Sequence, residues 1–212
     1  MKRLTRVALA STVVVAAILG SAVAANATKV PKPHLVFTTL AVAGDSTTEL
    51  PDSWTHDLPT RERSISGYAH GGFTSGRILE HLTKTDSNVL VVMVGVNDVT
   101  AGYSNKHIIH NVWKIIAKVG AQHVIISAIV PNDLTNYGPK HINRRAAGAS
   151  LNVALRATAV AHGWEFIDPD GAFRLPNNGY APGTTVDGVH PTRAAFAAES
   201  AVLAPAIAAA AD

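Results

Sequence analysis

"LVFTTLAVAGDSTTEL" occupies residues 35–50, and its reading decides the fold. The opening run, 35–43, is apolar or β-branched with almost no polar alternation. Strands buried on both faces read that way, whereas strands with one wet face alternate. Gly44-Asp45-Ser46-Thr47 follows without a spacer. These residue types also make ordinary turns, so the stretch alone leaves Ser46 either a turn residue or a presented hydroxyl.

Further runs repeat the pattern: "NVLVVMVG" (88–95), "HVIISAIV" (123–130) and the shorter "WEFID" (164–168), with "RSISGYA" (63–69) as a weaker strand. Helical segments alternate with them, over 74–84, 104–121, 141–163 and 192–211. The second puts Ile108, Val112, Ile115, Ile116 and Val119 on one stripe. Gly163 is placed to end the third, and Pro205 is expected to kink the fourth. Strands alternating with helices imply a parallel sheet covered on both faces, wound with right-handed crossovers.

The first 27 residues have a different character. Lys2, Arg3 and Arg6 precede the apolar Val7–Leu19, and Ala25-Asn26-Ala27 forms a small-x-small site. That is the layout of a cleavable secretory signal peptide, which predicts export and a mature domain over 28–212. An uncleaved membrane anchor is the competing reading. Three of the eighteen Lys and Arg residues lie in this leader and all fifteen acids lie beyond it, so the mature chain carries fifteen of each. A neutral chain without a basic run argues against nucleic acid as a partner. Cysteine is absent, which removes thiol nucleophiles and thiolate metal sites and leaves the core to carry stability.

In doubly wound sheets, ligands bind beyond the carboxyl ends of the strands. Several strand ends here carry chemically useful groups. Ser46 follows the first run, and Gly95-Val96-Asn97-Asp98 follows "NVLVVMV". Gly71 and Gly72 precede the helix at 74–84, where backbone N–H groups can approach an anion. Asp187 and His190 lie three residues apart ahead of the last helix. A carboxylate at that spacing can hold an imidazole's Nδ1–H while its Nε2 faces a serine hydroxyl.

As a set these blocks resemble the SGNH hydrolases, a branch of the GDSL esterase/lipase group. Gly44-Asp45-Ser46-Thr47 matches the first block, with Thr47 where the older signature has leucine; Gly95-Val96-Asn97-Asp98 matches the third and Asp187-Gly188-Val189-His190-Pro191 the last. The second departs from the pattern: the family often reads G-x-S-G-x-T, and His70-Gly71-Gly72-Phe73-Thr74 stands here. Gly72 aligns with the family's donor glycine because Thr74 falls two residues later, with Gly71 the alternative. The resemblance spans about residues 35–205. It implies a three-layer α/β/α sandwich of flavodoxin-like type, with five parallel strands ordered 2-1-3-4-5. It implies Ser46 as nucleophile, His190 as general base and Asp187 as its orienter. The oxyanion hole would comprise the N–H groups of Ser46 and Gly72 and the side-chain amide of Asn97. Asp45, Gly95 and Asp98 are read as support. The activity implied is hydrolysis of small to medium acyl esters or O-acetylated carbohydrates by a monomer needing no cofactor or metal.

Other signals weigh less. His107 and His110 share a helix face without an H-E-x-x-H partner, and "DPDG" (168–171) lacks the remaining ligands of a calcium loop. His70 is read as a loop histidine without a special role. Trp54, Phe73, Tyr103, Tyr137 and Tyr180 fall in loops or near element ends, where some are expected to line an acyl or sugar pocket. The loops 130–139 and 174–185 are expected to carry selectivity. No G-x-S-x-G elbow occurs, which argues against an α/β-hydrolase. A non-catalytic glycan-binding or surface module on the same fold is the remaining alternative.

Overall fold

The computed structural model describes residues 38–59 and 65–210. The signal peptide expected over residues 1–27 and its boundary lie outside the described residues. Five strands form one parallel sheet: β1 (Leu40–Gly44), β2 (Ile65–Ala69), β3 (Val89–Met93), β4 (His123–Ser127) and β5 (Glu165–Ile167). Their order is β2-β1-β3-β4-β5, and every neighbouring pair is parallel. The helices are α1 (Ser46–Glu49), α2 (Ser75–His81), α3 (Val96–Ala101), α4 (Asn105–Val119), α5 (Arg144–His162) and α6 (Arg193–Ala209). A 3₁₀ turn covers Trp54–Asp57.

Successive residues of a strand face opposite sides of its sheet, and the central strands are apolar on both. Ala41, Ala43, Leu90, Val92, Val124 and Ile126 pack with Ile78 of α2, with Ile108, Val112 and Ile115 of α4, and with Leu151 and Leu155 of α5. Leu40, Val42, Val89, Val91, Met93 and Ile125 pack with Trp54, Leu58, and Leu203 and Ile207 of α6. Two cores flank the sheet, giving three layers. Of the stripe read on α4, Ile116 is half-buried and the other four are buried.

Several boundaries differ from the sequence reading, each for a visible reason. β1 starts at Leu40, after Thr39, whose N–H and Oγ1 both pair with Asn88 Oδ1. β4 stops at Ser127 because the N–H of Ile129 turns to Asn152 Oδ1 instead of a neighbouring strand. α4 and α5 end on left-handed Gly120 and Gly163. Pro205 lies inside α6, which continues to Ala209. Two short helices, α1 and α3, occupy stretches that read as turns. No helix among the described residues is long and apolar enough to cross a membrane.

The register places Gly44 beside Ala69 and Met93. The chain segments that leave these three positions therefore emerge side by side at one edge of the sheet, where the site forms.

Candidate active site

Ser46 is the first residue of α1, immediately beyond β1. The turn between them is tight: a Cβ on Gly44 would lie 2.3 Å from Thr48 Oγ1, so only glycine admits the helix there. As the opening residue of a helix, Ser46 has an N–H without an intrahelical acceptor. Asp45 caps α1, its Oδ1 accepting from Thr47 N–H (3.1 Å) and Thr47 Oγ1 (2.9 Å).

The Ser46 Oγ lies 2.9 Å from His190 Nε2, across 144 residues of chain. His190 Nδ1 lies 2.7 Å from Asp187 Oδ2. An ionised carboxylate can only accept, so Nδ1 carries the ring hydrogen and Nε2 is left to accept from the serine hydroxyl. Asp187 Oδ1 accepts from the N–H groups of Val189 (2.9 Å) and His190 (2.7 Å), which fixes the loop as well as the ring. Burial alone would raise the Asp187 carboxyl, but these hydrogen bonds and the His190 ring hold it below its ordinary value. Thr185 Oγ1 donates to the His190 carbonyl (2.8 Å), and the buried Tyr180 hydroxyl donates to the Val189 carbonyl (2.7 Å). His190 and Asp187 thus share one braced loop.

Gly72 (φ 75°) lines a cleft of about 480 Å³ together with Ser46, Asn97, Asp187 and His190. No acceptor among the described residues takes its N–H. The N–H of Gly71, by contrast, donates to the Glu49 carboxylate, leaving Gly72 as the glycine free to face a ligand. Asn97, in the first turn of α3, gives one amide hydrogen to the Phe73 carbonyl (3.0 Å) and retains the other. Gly95 (φ 130°) makes the turn into α3, and a Cβ there would meet Leu151 Cδ2 at 2.7 Å.

Asp98 is buried beneath this floor. It accepts from Ser75 N–H (2.7 Å) and Ser75 Oγ (2.6 Å), and Asn111 Nδ2 donates to that same hydroxyl (3.0 Å). The start of α2, which follows the Gly72 loop, is thereby tied to α3, which carries Asn97. Burial raises the Asp98 carboxyl, with the Ser75 bonds opposing. Burial likewise lifts Asp45 to about 6, against the two Thr47 bonds.

Some residues singled out in the sequence lie elsewhere. Trp54 is buried under the sheet with its Nε1 on Thr48 Oγ1 (3.3 Å), so it lines no pocket at the site. His70 stacks on Phe73 (4.0 Å between centroids), and its Nδ1 meets the Gly71 carbonyl. His107 and His110 are exposed, and among the described residues no three acidic or histidine side chains are grouped to hold a metal. Within "DPDG", Asp168 binds Arg174 through both oxygens at 2.7 Å. Glu49 and Arg144 were not marked by the sequence reading, and Leu134 only as part of the 130–139 loop. Glu49 holds the glycine loop, and Leu134 and Arg144 line the cleft beside Tyr137.

The model of the GDSL-like lipase/acylhydrolase family matches residues 21–198. The chain belongs to this family. Membership assigns this acylhydrolase to the ester hydrolases, in the SGNH group. No curated protein sequence matches it. Its fold is shared with solved structures of low identity. A Bacteroides fragilis protein provisionally classed as an acylhydrolase is 23% identical with a TM-score of 0.69, covering 87% of this chain and 93% of that one. A GDSL-like lipase from Bacteroides thetaiotaomicron is 22% identical, at 0.67, 82% and 89%. A catalytic mutant of an acetylxylan esterase from Geobacillus stearothermophilus is 14% identical, at 0.62, 80% and 94%.

Proposed function

We propose that the chain is an exported serine esterase acting on small to medium acyl esters or O-acetylated carbohydrates. The observation that carries this reading is the continuous hydrogen-bonded line from Asp187 through His190 to Ser46, opening on the cleft. In the reaction, Ser46 Oγ attacks the ester carbonyl carbon while His190 Nε2 takes its proton. Asp187 stabilises the imidazolium so formed. The tetrahedral oxyanion is received by the N–H groups of Ser46 and Gly72 and the free amide hydrogen of Asn97. His190 then returns its proton to the departing alcohol, leaving an acyl-Ser46 that water, activated by the same base, hydrolyses. The charged leader at residues 1–27 supports export of a domain beginning near Thr28. An acetylxylan esterase on the same fold supports counting acetylated sugars among the candidate substrates.

Hydrolysis of p-nitrophenyl acetate by the purified protein tests this reading, alongside Ser46→Ala and fluorophosphonate labelling. Turnover and labelling that both vanish in Ser46→Ala are expected. Labelling of the parent at another residue, or none at all, would refute it.

A further inference from the structure

Arg144 opens α5, and its backbone N–H donates to the Leu134 carbonyl (3.0 Å), tying the helix to the 130–139 loop. Only 5% of the residue's surface reaches solvent. A guanidinium carries five N–H donors and stays charged in proteins, and burying such a charge is costly unless it is paired. The other arginines at this end of the molecule are paired. Arg145 holds Asp133 Oδ1 (2.8 Å) and the Asn132 carbonyl (3.1 Å), and Arg174 holds Asp168 through both of that residue's oxygens. Arg144 has no such partner. Its Nε is enclosed without an acceptor, and no carboxylate among the described residues lies within ion-pair distance of its guanidinium.

What surrounds Arg144 points to a ligand. It lines the same cleft as Ser46 and His190, with Leu134 and Tyr137 beside it. The Tyr137 ring covers the guanidinium at 5.0 Å, which orients the fork without neutralising it. Burial is the largest influence on its basicity and lowers it, opposed at longer range by the charges of Asp187 and Asp45, neither of which forms an ion pair with it. A purely structural arginine would spend its donors on carbonyls or carboxylates, as Arg145 and Arg174 do.

We propose that Arg144 receives an anionic oxygen group of the substrate, so that the preferred esters carry a carboxylate on either their acyl or their alcohol part. This rests on the serine esterase reading and sharpens it. The planar fork matches a carboxylate in two parallel hydrogen bonds.

Two substrate pairs distinguish the sources. The 4-nitrophenyl half-ester of glutaric acid against 4-nitrophenyl valerate probes the acyl side, and acetylated galacturonic acid against acetylated galactose probes the alcohol side. The readout is the ratio of kcat/KM, anionic over neutral. In the parent one pair gives a ratio of about 10 to 100, the range expected of a charge-assisted pair. In Arg144→Gln that ratio falls to about one, and Arg144→Lys, which keeps the charge but not the fork, lies between. A ratio near one in the parent for both pairs, or one that survives in Arg144→Gln, overturns the proposal. Should no ester be turned over in a Ser46-dependent way, the esterase reading fails separately. Calorimetric titration of glutarate and galacturonate into Ser46→Ala then decides the anion site. Binding of either that is lost when Arg144→Gln is added upholds it; no binding of either overturns it. Removing an unpaired buried charge should not lower the melting temperature, so the variant remains measurable.

Discussion

Asp45 gives the structure its most quantitative test. The residue immediately precedes Ser46, is buried, and caps α1 through Thr47. Burial lifts its carboxyl from the ordinary 3.8 to about 6; the Thr47 hydrogen bonds pull the other way, Asp98 adds to the rise and His190 opposes it. Between those two values the folded protein holds a proton that the unfolded chain has lost, so stability falls as pH rises through the window. The contribution is fully present below pH 3.8 and is lost as pH passes about 6. At about 1.4 kcal/mol per pH unit the window is worth about 3 kcal/mol. Asp45→Asn keeps an acceptor for Thr47 but cannot titrate there. Urea unfolding of parent and variant from pH 4 to pH 7 should therefore show the parent losing about 2.5 kcal/mol relative to the variant, since part of the window lies below pH 4. Acids that do not interact with Asp45 titrate equally in both proteins and cancel in the difference. A flat difference would refute the reasoning, and one of opposite slope would mean that Thr47 outweighs burial.

Three further outcomes are expected. Asn97→Ala should lower kcat for a p-nitrophenyl ester by about 10² to 10³, the usual cost of one oxyanion donor, with little change in KM. Asp187→Asn should preserve the loop yet lower kcat by about 10⁴, because an amide that donates to Nδ1 leaves the hydrogen on Nε2, where it cannot receive the serine proton; steady-state kinetics beside a circular dichroism spectrum separates this from misfolding. Asp98→Ala strands the buried Ser75 N–H and should cost about 1–3 kcal/mol in urea unfolding. It should also lower kcat, because α2 and α3 lose their tie.

The central strands were legible because burial on both faces leaves a short, β-branched apolar run bounded by turn residues, and Ser46, Asn97 and His190 were legible because each stands just past such a run or just before a helix. β2 was faint for the same physical reason: it is an edge strand, and Ile65, Ser66 and Gly67 are exposed, so no burial pattern marks them. α1 and α3 escaped notice because helices of four and six residues are too short to show a period. Arg144 could not be told from Arg145 in "NRRAAG". Which of two adjacent arginines turns toward the cleft depends on helix phase and on the pairing of Arg145 with Asp133, a contact made by the fold. Trp54 shows the converse, since its place in a loop made it one of several candidates for a pocket wall and packing under the sheet took it away.

The separation of 144 positions between Ser46 and His190 has a consequence for when reactivity arises. Asp187 and His190 come at the end of the sheet's sequence, and the loop that carries them is anchored on its far side by α6, whose Arg193 grips Asp57 and whose Leu203 and Ile207 enter the second core. A chain in which only β1, β2 and β3 have paired presents its serine without the histidine that meets it in the folded protein. Hydrolytic power therefore depends on the 185–191 loop reaching the end of β1. A molecule still threading or refolding, with α6 undocked, carries an inert hydroxyl until its final helix seats.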